Sequence, residues 1–139
     1  MKRVALVLMA AMAAACGGSS ASPSAVAIST TVTTENFGGT LQVGAQKVHT
    51  FMVTSPGAIS VTMTAAGPPA TITMGLGLGN PDSAGNCIFL SGATAQAIAS
   101  TTTPQLSGTL TSSGTYCVAI ADIGNAAGPI TYTIAVSHT

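Results

Sequence analysis

Few side chains in this sequence could carry out acid–base, nucleophilic or metal chemistry. The 139 residues include three Lys and Arg, three Asp and Glu and two His, and charged residues make up 4% of the chain. Beyond the first three residues, the acids and bases are Glu35, Lys47, His49, Asp82, Asp122 and His138. A serine hydrolase would need a Ser in a strained turn beside His and Asp, but no Ser lies in a Gly-x-Ser-x-Gly motif. We therefore predict no catalytic residues, and a hydrolase is the weakest interpretation.

Two short loops combine an Asp with a Gly-Asn pair. Asp82 precedes Asn86, and Asp122 precedes Asn125, with a Gly before each Asn. Carboxylate and amide oxygens are ligands that calcium prefers, so these four side chains are candidate calcium ligands. The same residue types are also the ordinary residues of tight turns, and one Asp per loop is few for a shell of six to eight oxygens. The turn interpretation is favoured, and no metal or cofactor is required.

The first sixteen residues predict export and attachment to a membrane. Lys2 and Arg3 precede an apolar run over residues 4–15, and small residues occupy 13–15, directly before Cys16. This segment resembles the lipobox of bacterial lipoproteins, which implies that Cys16 is lipidated and becomes the first mature residue. The run is shorter than the roughly 20 residues that span a bilayer, so a transmembrane helix is disfavoured. An ordinary signal peptide cut after Ala-x-Ala is the remaining alternative.

This division gives three segments: a signal peptide (1–15), a lipidated Cys with a flexible linker (16–25), and a globular domain (26–139). The lipid anchor predicts a location in the bacterial cell envelope, at the outer membrane on its periplasmic or surface face.

Removal of the signal leaves Lys47 as the single Lys or Arg. Without Arg or a basic patch the chain cannot offer the contacts that phosphates need, which argues against nucleic acid as a partner.

A disulfide between Cys87 and Cys117 is predicted. These are the two cysteines left once Cys16 carries the lipid, and exported proteins meet an oxidising compartment. Two buried thiols are the alternative. A redox role is disfavoured because neither Cys lies in a Cys-x-x-Cys motif or beside a basic residue.

The pattern of residues predicts an all-β fold. From residue 58 apolar and polar side chains alternate, and glycine, proline and asparagine clusters recur at the spacing of short antiparallel strands. Ten candidate segments, two of them doubtful, give about eight strands: 26–34, 39–43, 47–54, 58–65, 71–78, 87–91, 95–100, 106–111, 115–121 and 130–137. We predict an antiparallel two-sheet β-sandwich of the jelly-roll kind. Its alternating glycines over 75–79 are interpreted as close packing or a bulge, not as a phosphate loop.

Several stretches resemble the bacterial pre-peptidase C-terminal domain, a small β-sandwich of exported proteins. The likeness rests on residues 37–41 (FGGTL), 49–53 (HTFMV), 59–63 (ISVTM), 114–120 (GTYCVAI) and 130–136 (ITYTIAV). The resemblance implies an accessory domain without catalytic activity. We therefore expect a lipid-anchored envelope module that binds or supports a protein partner or surface glycan, with a calcium-dependent adhesion or carbohydrate-binding module as the alternative.

Overall fold

The computed structural model describes residues 30–139, which form eight β-strands. They are β1 (Thr33–Leu41), β2 (Gln46–Val53), β3 (Gly57–Gly67), β4 (Met74–Pro81), β5 (Cys87–Ala97), β6 (Leu106–Leu110), β7 (Gly114–Asp122) and β8 (Ile130–His138). The predicted all-β fold is confirmed. The predicted signal segment, Cys16 and the predicted linker lie outside the described residues. Within 30–139 there is no helix with the length and apolar character needed to cross a bilayer.

The strands form two four-stranded sheets. Sheet 1 has the order β1-β8-β3-β6 and sheet 2 has the order β2-β7-β4-β5, with every neighbouring pair antiparallel. Successive strands change sheet at every connection except β4–β5, which stay together in sheet 2. Each sheet has one apolar face, and stacking the two faces removes both from water. The prediction of a two-sheet sandwich is therefore confirmed.

The alternating strands explain where the core lies. In β3, Ile59, Val61 and Met63 are buried while the intervening Ser60 and Thr62 are only half-buried. Successive side chains of a strand point to opposite faces, so one face of each sheet supplies the core. Each large aliphatic side chain that is buried contributes roughly 1.5–3 kcal/mol. The core is therefore built mainly from aliphatic residues.

The structure corrects the first two predicted strands. Residues 26–34 and 39–43 were predicted as separate strands, but a single strand, β1, covers 33–41, and 26–29 lie outside the described residues. The pair Gly38-Gly39 lies within β1, where it pairs with Thr133 and Tyr132 of β8. An ideal Cβ on Gly39 would lie 3.2 Å from the Tyr132 hydroxyl. Gly39 makes room for the Tyr132 side chain, and the glycine pair does not end the strand.

The second correction concerns β5. Residues 87–91 and 95–100 were predicted as two strands, but the structure has one strand over 87–97 with a break in its pairing to β4. Gly77 pairs with Thr94 while Gly79 pairs with Phe89, so the intervening residues of β5 bulge out of the ladder. Gly92 supports this bulge with a φ of 72°, a conformation that favours glycine.

The predicted disulfide between Cys87 and Cys117 is confirmed. Cys87 begins β5 and Cys117 lies in β7, and β4 separates these strands in sheet 2. In a flat sheet, Cα atoms on two strands that flank a third strand lie about 9.6 Å apart. The Cα atoms of Cys87 and Cys117 are only 5.7 Å apart. The first residues of β5, which pair with the end of β4, therefore also fold across its outer face. Gly79 permits the crossing, because an ideal Cβ there would overlap the Ile88 carbonyl group.

Candidate functional site

A shallow groove runs across the outer face of sheet 2. The strand register places Gln46, Ala121, Gly75 and Gln96 in one row across the four strands. The next row is Val48, Ala119, Gly77 and Thr94. In these two rows the central strands contribute only Gly and Ala, so the middle of the sheet is low there and the longer side chains of β2 and β5 form the sides. We call this feature the Gly–Ala groove; its volume is about 350 Å³.

Two apolar side chains lie against the outer face of β4 at neighbouring rows, and Phe89 is the one that lines the groove. The Phe89 ring occupies the space above Gly77 where a side chain would otherwise stand, and Ile123 lies above Gly75 with its Cγ2 3.2 Å from an ideal Cβ there. Phe89 remains 43% exposed and Ile123 41% exposed. Each is therefore supported by the sheet on one side while still presenting surface to solvent.

The position of the Phe89 ring in the groove is a consequence of the crossing of β5 over β4. Because the start of β5 folds over Gly79, it carries the Phe89 ring back over Gly77. The disulfide, Ala119 and Val48 pack together beside this crossing, which explains why β7 is buried on both faces. The alternating glycines of β4 thus provide the close packing that their pattern predicts, and no phosphate loop is formed.

The chemical groups that line the groove are amides, a hydroxyl, a phenyl ring and small apolar groups. Gln46, Thr94 and Gln96 are exposed at its sides, and none of the lining side chains among the described residues is an acid or a base. These groups bind by hydrogen bonding and apolar contact. Sequence reasoning did not single out these residues. The alternation of small and large residues in β4 and in β7 indicates that each strand has one face of small residues. Only the register between the two strands shows that these faces lie side by side.

His49 lies on the opposite, inner face of sheet 2. Its Nε2 lies 2.8 Å from the hydroxyl oxygen of Tyr132, and its ring stacks on Phe37 with centroids 5.0 Å apart. Burial, with a smaller contribution from the positive charge of Lys47, lowers the pKa of His49 below 6.5. Burial also raises the pKa of the Tyr132 phenol. The pair stabilises the junction of the two sheets in its neutral form.

This environment predicts that acidification weakens the fold through His49. The unfolded chain binds the proton as the pH falls through 6.5, before the folded chain does, so the free energy of unfolding decreases. This decrease in the free energy of unfolding is absent well above pH 6.5, and it is complete below the pKa that His49 has in the folded protein. Urea unfolding at about pH 8 and pH 5.5 should show a smaller loss for His49→Gln, whose amide can still bond to Tyr132, than for the wild type. An equal loss in both proteins would contradict this assignment.

His138 and Glu35 form a second pair, on the inner face of sheet 1. His138 Nε2 lies 3.1 Å from Glu35 Oε1, and the imidazole stacks on Phe51 with centroids 5.5 Å apart. Although His138 is the penultimate residue, it belongs to β8 and is 4% exposed. Its Nδ1 has no hydrogen-bond partner among residues 30–139. The two histidines are thus separated from the Gly–Ala groove by the sheets themselves.

Asp82 organises its own loop. Its carboxylate accepts hydrogen bonds from the backbone N–H groups of Ala84 and Asn86, at 2.9 and 2.8 Å, and from the Asn86 side-chain amide at 2.9 Å. The bonds from Asn86 are the main reason that the pKa of Asp82 is lowered. These are the contacts of an Asp in a tight turn.

Asp122 connects two loops. Its Oδ2 accepts from the Gly44 N–H at 2.7 Å, and its Oδ1 accepts from the N–H groups of Gly124, Asn125 and Ala126 at 3.0–3.2 Å. The bond from Gly44 is the main cause of its lowered pKa. Among residues 30–139, no three His, Cys, Asp or Glu side chains are grouped as metal ligands would be. Calcium binding by these two loops stays a prediction.

The outer face of sheet 1 carries many hydroxyl groups. One row across its four strands consists of Thr34, Ser137, Ser60 and Ser107. Some of these groups bond to the protein itself: Thr34 Oγ1 lies 2.7 Å from Ser137 Oγ, and Thr131 donates to the last carbonyl of β3 at 3.2 Å. A depression of about 510 Å³ lies at this face, partly lined by Ser60, Ser107 and Ser137, and its lining includes no Phe or Tyr side chain.

The fold and this geometry define an eight-stranded β-sandwich with an uncharged groove on one outer face. No protein-family model matches the chain, and no curated protein is significantly similar to it.

Proposed function

We propose that this protein is a non-enzymatic, lipid-anchored module of the bacterial cell envelope, which binds a protein partner or a surface polymer through the Gly–Ala groove. The observation that carries the proposal is the separation of the groove from the acids and bases. The groove offers Gln46, Thr94, Gln96 and Phe89, whereas His49 faces the interior from the other side of the same sheet. Such a lining supports recognition, which requires hydrogen bonds and contact area but no proton transfer.

The anchor and the location rest on the N-terminal sequence. Residues 1–16 resemble a lipoprotein signal, and the linker would hold the sandwich away from the membrane surface. The proposed location is the outer membrane, on its periplasmic or surface face. The eight-stranded sandwich is also compatible with the accessory role that the pre-peptidase C-terminal resemblance implies.

Crosslinking in the native envelope tests the proposal. A photoreactive amino acid placed at Gln96 of the full-length protein should capture one envelope component reproducibly. The same amino acid at Asn36, which is exposed on the outer face of sheet 1, is the matched control and should capture less. The Cys16→Ser variant should lose metabolic labelling with a fatty acid and release the protein from the membrane fraction. Equal capture from both positions, or an unchanged membrane fraction for Cys16→Ser, would count against the groove or the anchor respectively.

A further inference from the structure

The three polar side chains of the groove are free to bind something else. No hydrogen bond within residues 30–139 uses the side chains of Gln46, Thr94 or Gln96. By contrast, the Gln105 side chain accepts from the Met63 N–H at 2.6 Å and donates to the Ile98 carbonyl at 3.3 Å. Each free carboxamide offers two donors and an acceptor, and the Thr94 hydroxyl adds one of each kind. These groups match a ligand that is rich in hydroxyl or amide groups.

The electrostatics of the groove favour an uncharged ligand. Its lining contains no charged side chain. A phosphate, a sulfate or a uronic acid would lose hydration there without gaining an opposite charge. Amide and hydroxyl groups of a ligand do not incur this cost, because they exchange hydrogen bonds with water for hydrogen bonds with neutral side chains.

The backbone of the groove floor favours a sugar over a peptide strand. An extended peptide binds a sheet by pairing with the free N–H and C=O groups of an edge strand. The floor belongs to β4 and β7, which are the two central strands of sheet 2 and are paired on both sides. It therefore presents no row of unpaired backbone groups. Recognition on this floor therefore comes from side chains and from a flat apolar surface, whereas an extended peptide would have to pair with the outer edge of β2 or β5, the edge strands of sheet 2.

Phe89 supplies that flat surface. Its ring rests on Gly77, is 43% exposed and lies in the same groove as the three polar groups. A pyranose ring has an apolar face of C–H groups and a polar rim of hydroxyls or acetamides. Its apolar face can cover an aromatic ring while its rim reaches neighbouring amides. The volume of about 350 Å³ lies within the range of ligand sites.

We propose that the Gly–Ala groove binds an uncharged pyranose polymer, with one sugar ring stacked on Phe89 and its substituents hydrogen-bonded to Gln46, Thr94 and Gln96. This inference rests on the proposed function, since it names the ligand class of the same groove. A polymer of neutral sugars also suits a protein that would be held at a bacterial surface.

Titration with two defined probes tests the ligand class. Cellotetraose and chitotetraose are added separately to the isotopically labelled full chain, in a detergent without a sugar headgroup. We expect saturable shifts of the Gln46 and Gln96 side-chain amide resonances with at least one of them. An uncharged acetylated hexapeptide of Ala and Thr should cause none. Failure of both saccharides to shift these resonances overturns the inference, as does saturable binding of the peptide alone.

Matched variants test the location. Phe89→Ala should weaken binding about tenfold, which corresponds to loss of an aromatic stacking contact. Ile88→Ala removes an exposed side chain next to it and should leave the affinity unchanged. Ala121→Leu should abolish binding by filling the floor, whereas Ala135→Leu, on the outer face of sheet 1, should not. Thermal melts confirm that each variant is folded. Equal affinities within both pairs overturn the assignment to the groove.

The two proposals fail separately. If neither saccharide binds but the photoreactive group at Gln96 captures a single envelope protein, the glycan inference is wrong and the binding module stands with a protein occupant. If neither saccharide binds and Gln96 captures nothing beyond the Asn36 control, both proposals are wrong.

Discussion

Replacing Gly79 by alanine should destabilise the protein by about 3 kcal/mol, the upper part of the range for an overpacked site. A Cβ at this position would overlap the Ile88 carbonyl oxygen and would lie 2.6 Å from its carbon and 2.8 Å from the Cα of Phe89. These are backbone atoms, so no rotamer change relieves the overlap and the start of β5 must move away from β4. Urea unfolding of the purified full chain measures the loss.

Two other glycine replacements serve as controls. Gly108→Ala in β6 places its methyl group where no atom lies within 4 Å, and its φ is not positive, so stability should change little. Gly77→Ala should fall between the two, because the atoms it meets belong to the Phe89 side chain, which can rotate. If Gly79→Ala costs no more than Gly108→Ala, the crossing of β5 over β4 is not as described.

Removing the disulfide should cost about 3.5 kcal/mol. The bond closes a loop with a sequence separation of 30, and loss of this constraint gives the unfolded chain more conformational freedom. Cys87→Ala with Cys117→Ala is the appropriate variant, because Cys117 is fully buried and a Ser would place an unpaired hydroxyl there. For a domain whose total stability is about 5–15 kcal/mol, this is a large fraction.

Equilibrium unfolding of the double variant, compared with wild type under oxidising conditions, measures this effect. Wild type in the presence of a reductant should approach the stability of the variant, while the variant should not respond to the reductant. A variant as stable as the oxidised wild type would show that packing alone holds β5 across β4.

Gly79→Ala and removal of the disulfide alter the same junction, so their effects on stability should not be additive. Gly79 permits the crossing, and the disulfide between Cys87 and Cys117 holds the start of β5 in this position. When the disulfide is absent, β5 can shift away from β4 more easily, so the methyl group of Gly79→Ala should cost less. The free energy of unfolding of a triple variant, compared with those of Gly79→Ala, the double cysteine variant and the wild type, measures this coupling.

The sequence predicted the fold class and the disulfide well, because both depend on local or countable features. Alternation of apolar and polar residues, as over 59–63, depends only on the two-residue period of a strand, and it identified β3 and β8 correctly. The pairing of Cys87 with Cys117 followed once Cys16 was assigned to lipid. Strand ends were less predictable: Gly38-Gly39 resembles a turn locally, but pairing with β8 keeps it extended.

The groove was decided by the tertiary structure alone. Gln46 and Gln96 are fifty positions apart in sequence, and they share a row only because β2 pairs with β7, β7 with β4 and β4 with β5 in one particular register. Phe89 covers Gly77 because the disulfide and the bulge carry the start of β5 over β4. Periodicity within a strand reveals which face a residue occupies, whereas its neighbours across the sheet depend on register, which long-range packing selects.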